Sequence, residues 1–164
     1  MKVFKDIISG DEMFSDSYKH QLMFNDAVWE VKAKMVKKGS DFVAIASDDI
    51  ADEDENAEMV VDIVDSFKLN EIQLTKKDFM GYVKGFLKAV VAKLKENGKE
   101  DRVKEFQKGA TEAVKFIVGK IDEMQFFTGT SYDMDAGIAL CYNKDGEADP
   151  TFLYFADALV EEKF

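Results

Sequence analysis

Between Thr75 and Ile121 the apolar side chains recur at helical spacing, twice, with a short polar joint between the two runs. The first run is Phe79, Tyr82, Val83, Phe86, Leu87, Val90, Val91 and Leu94. The second is Val103, Phe106, Ala110, Ala113, Val114, Ile117 and Ile121. Each is a single stripe at i, i+3, i+4, i+7, which predicts two amphipathic helices. Thr75 followed by Asp78 predicts a capping box at the first helix start. Asn97-Gly98 predicts its end, because Gly tolerates positive φ. So short a joint makes the pair an antiparallel hairpin over 75–122. Gly81, Gly85, Gly109 and Gly119 each cost about 1 kcal/mol against Ala in a helix. The helices are therefore expected to need a sheet to pack on, and the Gly81-x-x-x-Gly85 spacing is expected to mark close packing.

The flanking arms carry the other period. Trp29, Val31, Ala33 and Met35 alternate with Glu30, Lys32 and Lys34, which predicts a strand. Met59 to Val64 is rich in β-branched residues and predicts another. Ile138 to Tyr142 and Thr151 to Phe155 flank Asp145-Gly146, a turn signal, and predict a hairpin. Asp11 to Asp16 mixes acids with the exposed-looking apolar Met13 and Phe14 and reads as a turn followed by a strand. Strands, then helices, then strands give an α+β fold in one domain spanning 1–164. The length of 164 residues suffices for a core that folds unaided.

Charge is unevenly spread over the chain, whose net charge is −11. Residues 71–124 hold 12 basic and 9 acidic side chains, and the stretches on either side are strongly acidic. That balance argues against a general nucleic-acid binder. Residues 39–58 carry eight acids and no Lys or Arg, so they are expected to form a mobile loop. Hard cations seek carboxylate oxygens. Asp48, Asp49 and Asp52 in this loop, with Asp133 and Asp135 in a second acidic turn, are the candidate Ca²⁺ ligands. Neither segment has the EF-hand pattern, so binding is expected to be weak, with no tightly bound cofactor. The hairpin lysines, Lys84, Lys88 and Lys93 among them, offer a positive face to an acidic partner.

Other chemistry is thinly represented. There is no Gly-x-x-x-x-Gly-Lys-Ser/Thr and no strand-linked Gly-x-Gly-x-x-Gly. One Cys and one His make a Cys/His zinc cage implausible and an internal disulfide impossible. His20 sits in a polar stretch with no partner nucleophile, and Cys141 alternates within a strand as a buried thiol would. No stretch approaches the length of a membrane span, and the first residues lack the apolar run of a signal peptide.

The chain resembles the translationally controlled tumour protein (TCTP) family. The opening Met1-Lys2-Val3-Phe4-Lys5-Asp6-Ile7-Ile8-Ser9 with Asp11-Glu12-Met13-Phe14-Ser15-Asp16 is similar to the family's N-terminus. Gln125-Phe126-Phe127-Thr128-Gly129, continuing through Asp135-Ala136-Gly137-Ile138 to Tyr142, resembles its second signature. Leu74-Thr75-Lys76-Lys77, the segment from Arg102 to Ala110, and the ending from Phe155 to Lys163 are also similar. The resemblance implies a β-tent of small, mostly antiparallel sheets with a projecting helical hairpin and a mobile acidic loop. It implies a non-enzymatic, cytoplasmic protein, in a family some of whose members are secreted without a signal peptide. The implied partners are calcium, tubulin and microtubules, a translation elongation factor, anti-apoptotic proteins, and a small GTPase contacted through Glu12. Three departures stand out. Thr130 follows Gly129 where the family usually has Glu, the acidic loop lacks the family's Gly-Gly-Asn run, and the last residue is Phe164 where many members have Cys.

Overall fold

The computed structural model describes residues 1–38 and 58–163. The expected mobile acidic loop, with Asp48, Asp49 and Asp52, therefore lies outside the described residues, except for Glu58 at its end. In chain order the strands are β1 (Lys2–Asp6), β2 (Glu12–Ser15), β3 (His20–Met23), β4 (Val28–Lys32), β5 (Met35–Lys37) and β6 (Met59–Val61). A short helix α1 (Asp62–Phe67) and strand β7 (Asn70–Ile72) lead into the long helices α2 (Lys76–Glu96) and α3 (Glu100–Gly119). Strands β8 (Gln125–Thr128), β9 (Ala139–Tyr142), β10 (Thr151–Phe155) and β11 (Leu159–Lys163) complete the order.

All pairings are antiparallel. A six-stranded sheet runs β3-β4-β10-β9-β8-β7, a three-stranded sheet runs β11-β1-β2, and β5 and β6 form a separate ribbon. The large sheet is covered on both faces. Leu140, Tyr142, Leu153 and Phe155 face the helical hairpin, in one core with Phe79, Val83, Phe86, Phe106 and Ile117. Cys141, Phe152 and Tyr154 face the other way, in a second core with Phe4, Phe14, Val31 and Ile63. Burial on both faces is why β9 and β10 read as continuous apolar runs with no polar alternation. The rings of Phe4 and Phe14 stack at 4.3 Å, and Phe14 stacks on Tyr154 at 4.7 Å.

The hairpin forms as expected. Asp78 N–H donates to Thr75 Oγ1 at 3.1 Å and Thr75 N–H to Asp78 Oδ2 at 3.2 Å, the reciprocal pair of a capping box. Gly98, at φ +73°, turns the chain, and its neighbour Lys99 donates N–H to Leu94 O at 2.8 Å. The sheet that the helices were expected to need is present.

Several local readings are corrected. The strand expected from Trp29 to Met35 stops at Lys32, and Met35 is exposed at the start of β5. Strand β4 buries Val28 on the helix side and Val31 on the other, so its apolar positions serve two cores. The strand expected over Met59 to Val64 lasts only to Val61 and becomes α1. The Asp62 carboxylate accepts N–H from Lys34 at 3.0 Å and from Ile63 at 2.8 Å, and Ile63 is fully buried beyond it. Tertiary burial of Ile63 overrides the β propensity of the run. Met13 and Phe14, which looked exposed in the sequence, are both buried. The Gly81 and Gly85 spacing is not a packing feature: both residues are exposed and a Cβ on either would meet nothing within 4 Å. Close approach occurs at Gly109 instead, where a Cβ would sit 2.0 Å from Phe24 O.

Candidate functional site

The turn between β1 and β2 organises one face of the molecule. Asp6, buried at the end of β1, accepts from Ser9 N–H and Ser9 Oγ with one oxygen, both at 2.8 Å. Its other oxygen accepts from Gly137 N–H at 3.0 Å. Asp11 reaches the same loop: Ser131 N–H and Oγ donate to it at 3.1 and 2.6 Å, and Thr130 Oγ1 at 3.3 Å. Asn70 Nδ2 donates to Gly129 O at 2.9 Å, and Tyr82 Oη on α2 to Ala136 O at 2.6 Å. The loop over 129–137 is thus latched to the N-terminal turn, to β7 and to α2. Gly129 must be glycine for this docking, because a Cβ there would lie 2.5 Å from the Asp11 side chain.

Burial and the nearby Asp6 carboxylate push the Tyr82 hydroxyl well above its ordinary range. Partial burial would raise the Asp11 carboxyl, but the hydrogen bonds from Ser131, Ser9 and Thr130 outweigh it and hold the group below its ordinary 3.8. A depressed carboxyl stabilises the fold above its unfolded pKa, and the contribution is lost as pH falls through the lowered value. Asp11→Asn is therefore expected to cost about 1 kcal/mol at neutral pH and to flatten the acid limb of the stability curve. Urea midpoints measured from about pH 6 down to about pH 3 check this. An unchanged acid limb contradicts it.

Glu12 is exposed at the start of β2, beside Lys5. Lys5 also pairs with Glu162, and that contact raises its pKa despite a small opposing desolvation. A groove of about 390 Å³ opens here, lined by Lys5, Asp11, Glu12, Phe67, Lys68 and Thr130. Two segments far apart in sequence, the one holding Glu12 and the one holding Thr130, therefore meet in one place. Thr130 donates to Asp11, a structural use that the sequence reading did not foresee.

The hairpin offers the second surface. Lys84 and Lys88 are exposed and line a groove of about 420 Å³ between α2 and α3. Leu87 and Val91, over the buried Phe106 and Ala110, form its floor, and Gln107 and Thr111 its far side. Lys93 does not line this groove, since nine residues beyond Lys84 is half a turn away around the helix. It pairs with Glu96 at 3.9 Å.

The remaining candidates are structural or open. His20 Nδ1–H donates to Tyr18 O at 2.6 Å, and its ring meets Trp29 edge-on at 5.0 Å. The groove beside it is lined by Lys19, Gln21, Glu30, Lys32, Lys144 and Glu147, with no hydroxyl or thiol nucleophile in the lining. Cys141 is buried, and desolvation pushes its thiol up to about 12, away from reactive thiolate. Asp133 accepts the N–H of Asp135 at 2.9 Å, so one of these carboxylates is partly committed to its own turn. Among the described residues no three His, Cys, Asp or Glu side chains converge as a metal cage would require. Asp133 and Asp135 alone fit only a Ca²⁺ that keeps most of its six to eight oxygens as water. No helix among the described residues is long and apolar enough to cross a membrane.

The fold and these loops have close counterparts. The sequence profile of the family described as translationally controlled tumour protein matches residues 1–160. The chain belongs to the translationally controlled tumour protein family. It is 41% identical to translationally-controlled tumor protein homolog 1 of Dictyostelium discoideum over 175 aligned positions, covering all of both chains. It is 41% identical to the homolog of Plasmodium berghei over 172 positions, again covering all of both. Among solved structures it matches the translationally controlled tumor-associated protein p23fyp of Schizosaccharomyces pombe at a TM-score of 0.82, with 35% identity and full coverage of both chains. The NMR structure of the Caenorhabditis elegans TCTP matches at 0.68, with 28% identity, over 100% of this chain and 99% of that one. In TCTP terms the N-terminal segment and the second signature are the two halves of one latch. Asp6 and Asp11 on the first hold Gly137 and residues 130 and 131 on the second.

Proposed function

We propose that this TCTP-family protein is a cytosolic, non-enzymatic binding protein that associates with microtubules through the α2–α3 hairpin. The observation that carries the reading is the pair Lys84 and Lys88. They are exposed, form no ion pair among the described residues, and belong to the net-positive stretch of a chain of −11. Tubulin is acidic, so an acidic protein meets it most easily through a local positive face. The family resemblance points to the same region. Replacing Lys84, Lys88 and Lys93 together by Glu is expected to lower co-sedimentation with microtubules at least roughly tenfold at low salt, with circular dichroism unchanged. Exposed charges are screened within about 10 Å at 0.1 M, so added salt weakens binding of the unaltered protein. Equal pelleting of the reversed and unaltered proteins at low salt defeats the reading.

Weak Ca²⁺ binding, with a Kd on the order of 10⁻⁴–10⁻³ M, belongs to the same proposal. Its support is the acidity of residues 39–58 and the paired Asp133 and Asp135. NMR titration is expected to give fast-exchange shifts at these residues, and no shift at millimolar Ca²⁺ rejects it. The second reading is contact with a small GTPase through Glu12, supported by its exposure on a groove shared with Thr130. A pull-down from the cell of origin separates the two: tubulin without a GTPase favours the first, nucleotide-sensitive recovery of a GTPase the second.

A further inference from the structure

The groove between α2 and α3 has a composition that bare charge attraction does not require. Its floor is aliphatic, from the half-buried Leu87 and Val91 lying over the buried Phe106 and Ala110. Its α2 lip carries Lys84 and Lys88, and no carboxylate among the described residues lines it. A flexible acidic tail would use the lip and leave the floor wet. From Lys84 to Val91 the groove runs two turns of α2, roughly 10 Å at the helical rise. That is the span over which a helix lying alongside would present side chains at i, i+3, i+4 and i+7.

We infer that this groove takes an amphipathic helix of a protein partner, with an apolar ridge on the floor and acidic side chains against Lys84 and Lys88. The inference rests on the reading of the hairpin as the binding face and adds the shape of what binds there. The apolar ridge supplies affinity by removing Leu87 and Val91, both half-buried, from water. The acids set the partner's direction across the groove, because Lys84 and Lys88 lie on one side only.

The test uses the full chain and two synthetic peptides. One is an 18-residue helix with Leu at i, i+3, i+4 and i+7, Glu along one flank and Ala elsewhere. The other has the same composition in scrambled order. The ordered peptide is expected to shift backbone amides of Leu87, Val91, Ala110 and Thr111, and to bind at least roughly tenfold tighter than the scrambled one. Thr111→Trp fills the groove from an exposed position and is expected to abolish the preference, and Lys84→Glu with Lys88→Glu to weaken the ordered peptide. Circular dichroism matched to the unaltered protein shows that the variants fold. Equal binding of the two peptides overturns the inference, as do shifts that map elsewhere or a Thr111→Trp variant that binds normally. These outcomes stand apart from the microtubule reading, which fails only if the triple lysine reversal leaves co-sedimentation unchanged.

Discussion

Gly109→Ala is expected to lower the stability of the fold by about 3 kcal/mol. The cause is not helix propensity, which favours Ala at this position. The chain between β3 and β4 turns through Phe24, Asn25 and Asp26, all in the left-handed region, at φ 53°, 53° and 64°. Such a turn costs on the order of 1 kcal/mol per residue and persists only where packing demands it. It drives Phe24 O against α3, and a Cβ on Gly109 would lie 2.0 Å from that oxygen and 2.8 Å from Ala27 Cβ. The partner atom is backbone and cannot rotate away. Arg102, about two turns earlier on α3, holds the turn in place. It donates to Asn25 O at 3.0 Å and grips Asp157 with two bonds of 2.9 and 3.0 Å. The substitution must therefore lift the turn from the helix or break this grip. Thermal unfolding is expected to show a fall of roughly 10 °C. Gly85→Ala supplies the control, since its Cβ would enter open space and is expected to raise stability by up to about 1 kcal/mol. A Gly109→Ala protein within about 1 kcal/mol of the unaltered one would show that the turn is free to move.

Asp6→Ala is expected to cost about as much, roughly 3 kcal/mol, by a different route. The Asp6 carboxylate is 2% exposed and satisfies the backbone N–H of Ser9 and of Gly137, together with the Ser9 hydroxyl. Removing it leaves those donors without their acceptor in a space that Gly137 already fills closely, its Cβ position being 2.5 Å from Asp6 Oδ1. Asp6→Asn keeps one acceptor oxygen and is expected to lose about half as much. Urea unfolding with an unchanged m-value reads both. If Asp6→Ala matches the unaltered protein, water replaces the carboxylate without loss and the latch is not a source of stability.

The long elements were legible because their burial is one-sided and long. Leu94 and Phe79 sit fifteen positions apart yet share one stripe, and the Thr75 and Asp78 cap is local chemistry. The hairpin of β9 and β10 was legible from its turn. What was not legible depends on contacts across the chain. Nothing near Ile63 in the sequence says that it plugs the second core from a helix, because that core is built from β1, β2, β4, β8, β9 and β10. Gly81 and Gly109 look alike in sequence, and only the position of the Phe24 turn separates an open glycine from a required one. Nothing in the N-terminal segment signals a distant partner, yet Asp6 and Asp11 are spent on a loop more than a hundred residues away, while Glu12 and Asp16 stay exposed. The basic face of the hairpin was legible as composition. Its division into Lys84 and Lys88 on the groove, with Lys93 off it, required the helix phase and the neighbouring helix.

The three-stranded sheet places β1 between β2 and β11, with Lys2 opposite Lys163 in the register. On a ribosome β1 is made long before its outer neighbour β11, with the other strands and the long helices between them. Residues 2–6 therefore wait, half-paired, while the elements between β1 and β11 are made, and the sheet closes only after β11 has emerged. Most of the nascent chain can collapse around the helices beforehand, but Phe4 gains its full cover last. Cotranslational folding of this protein thus has a late step, the docking of β11, and the interval before it is when the unpaired edge of β1 is most open to chaperones or to a wrong neighbour.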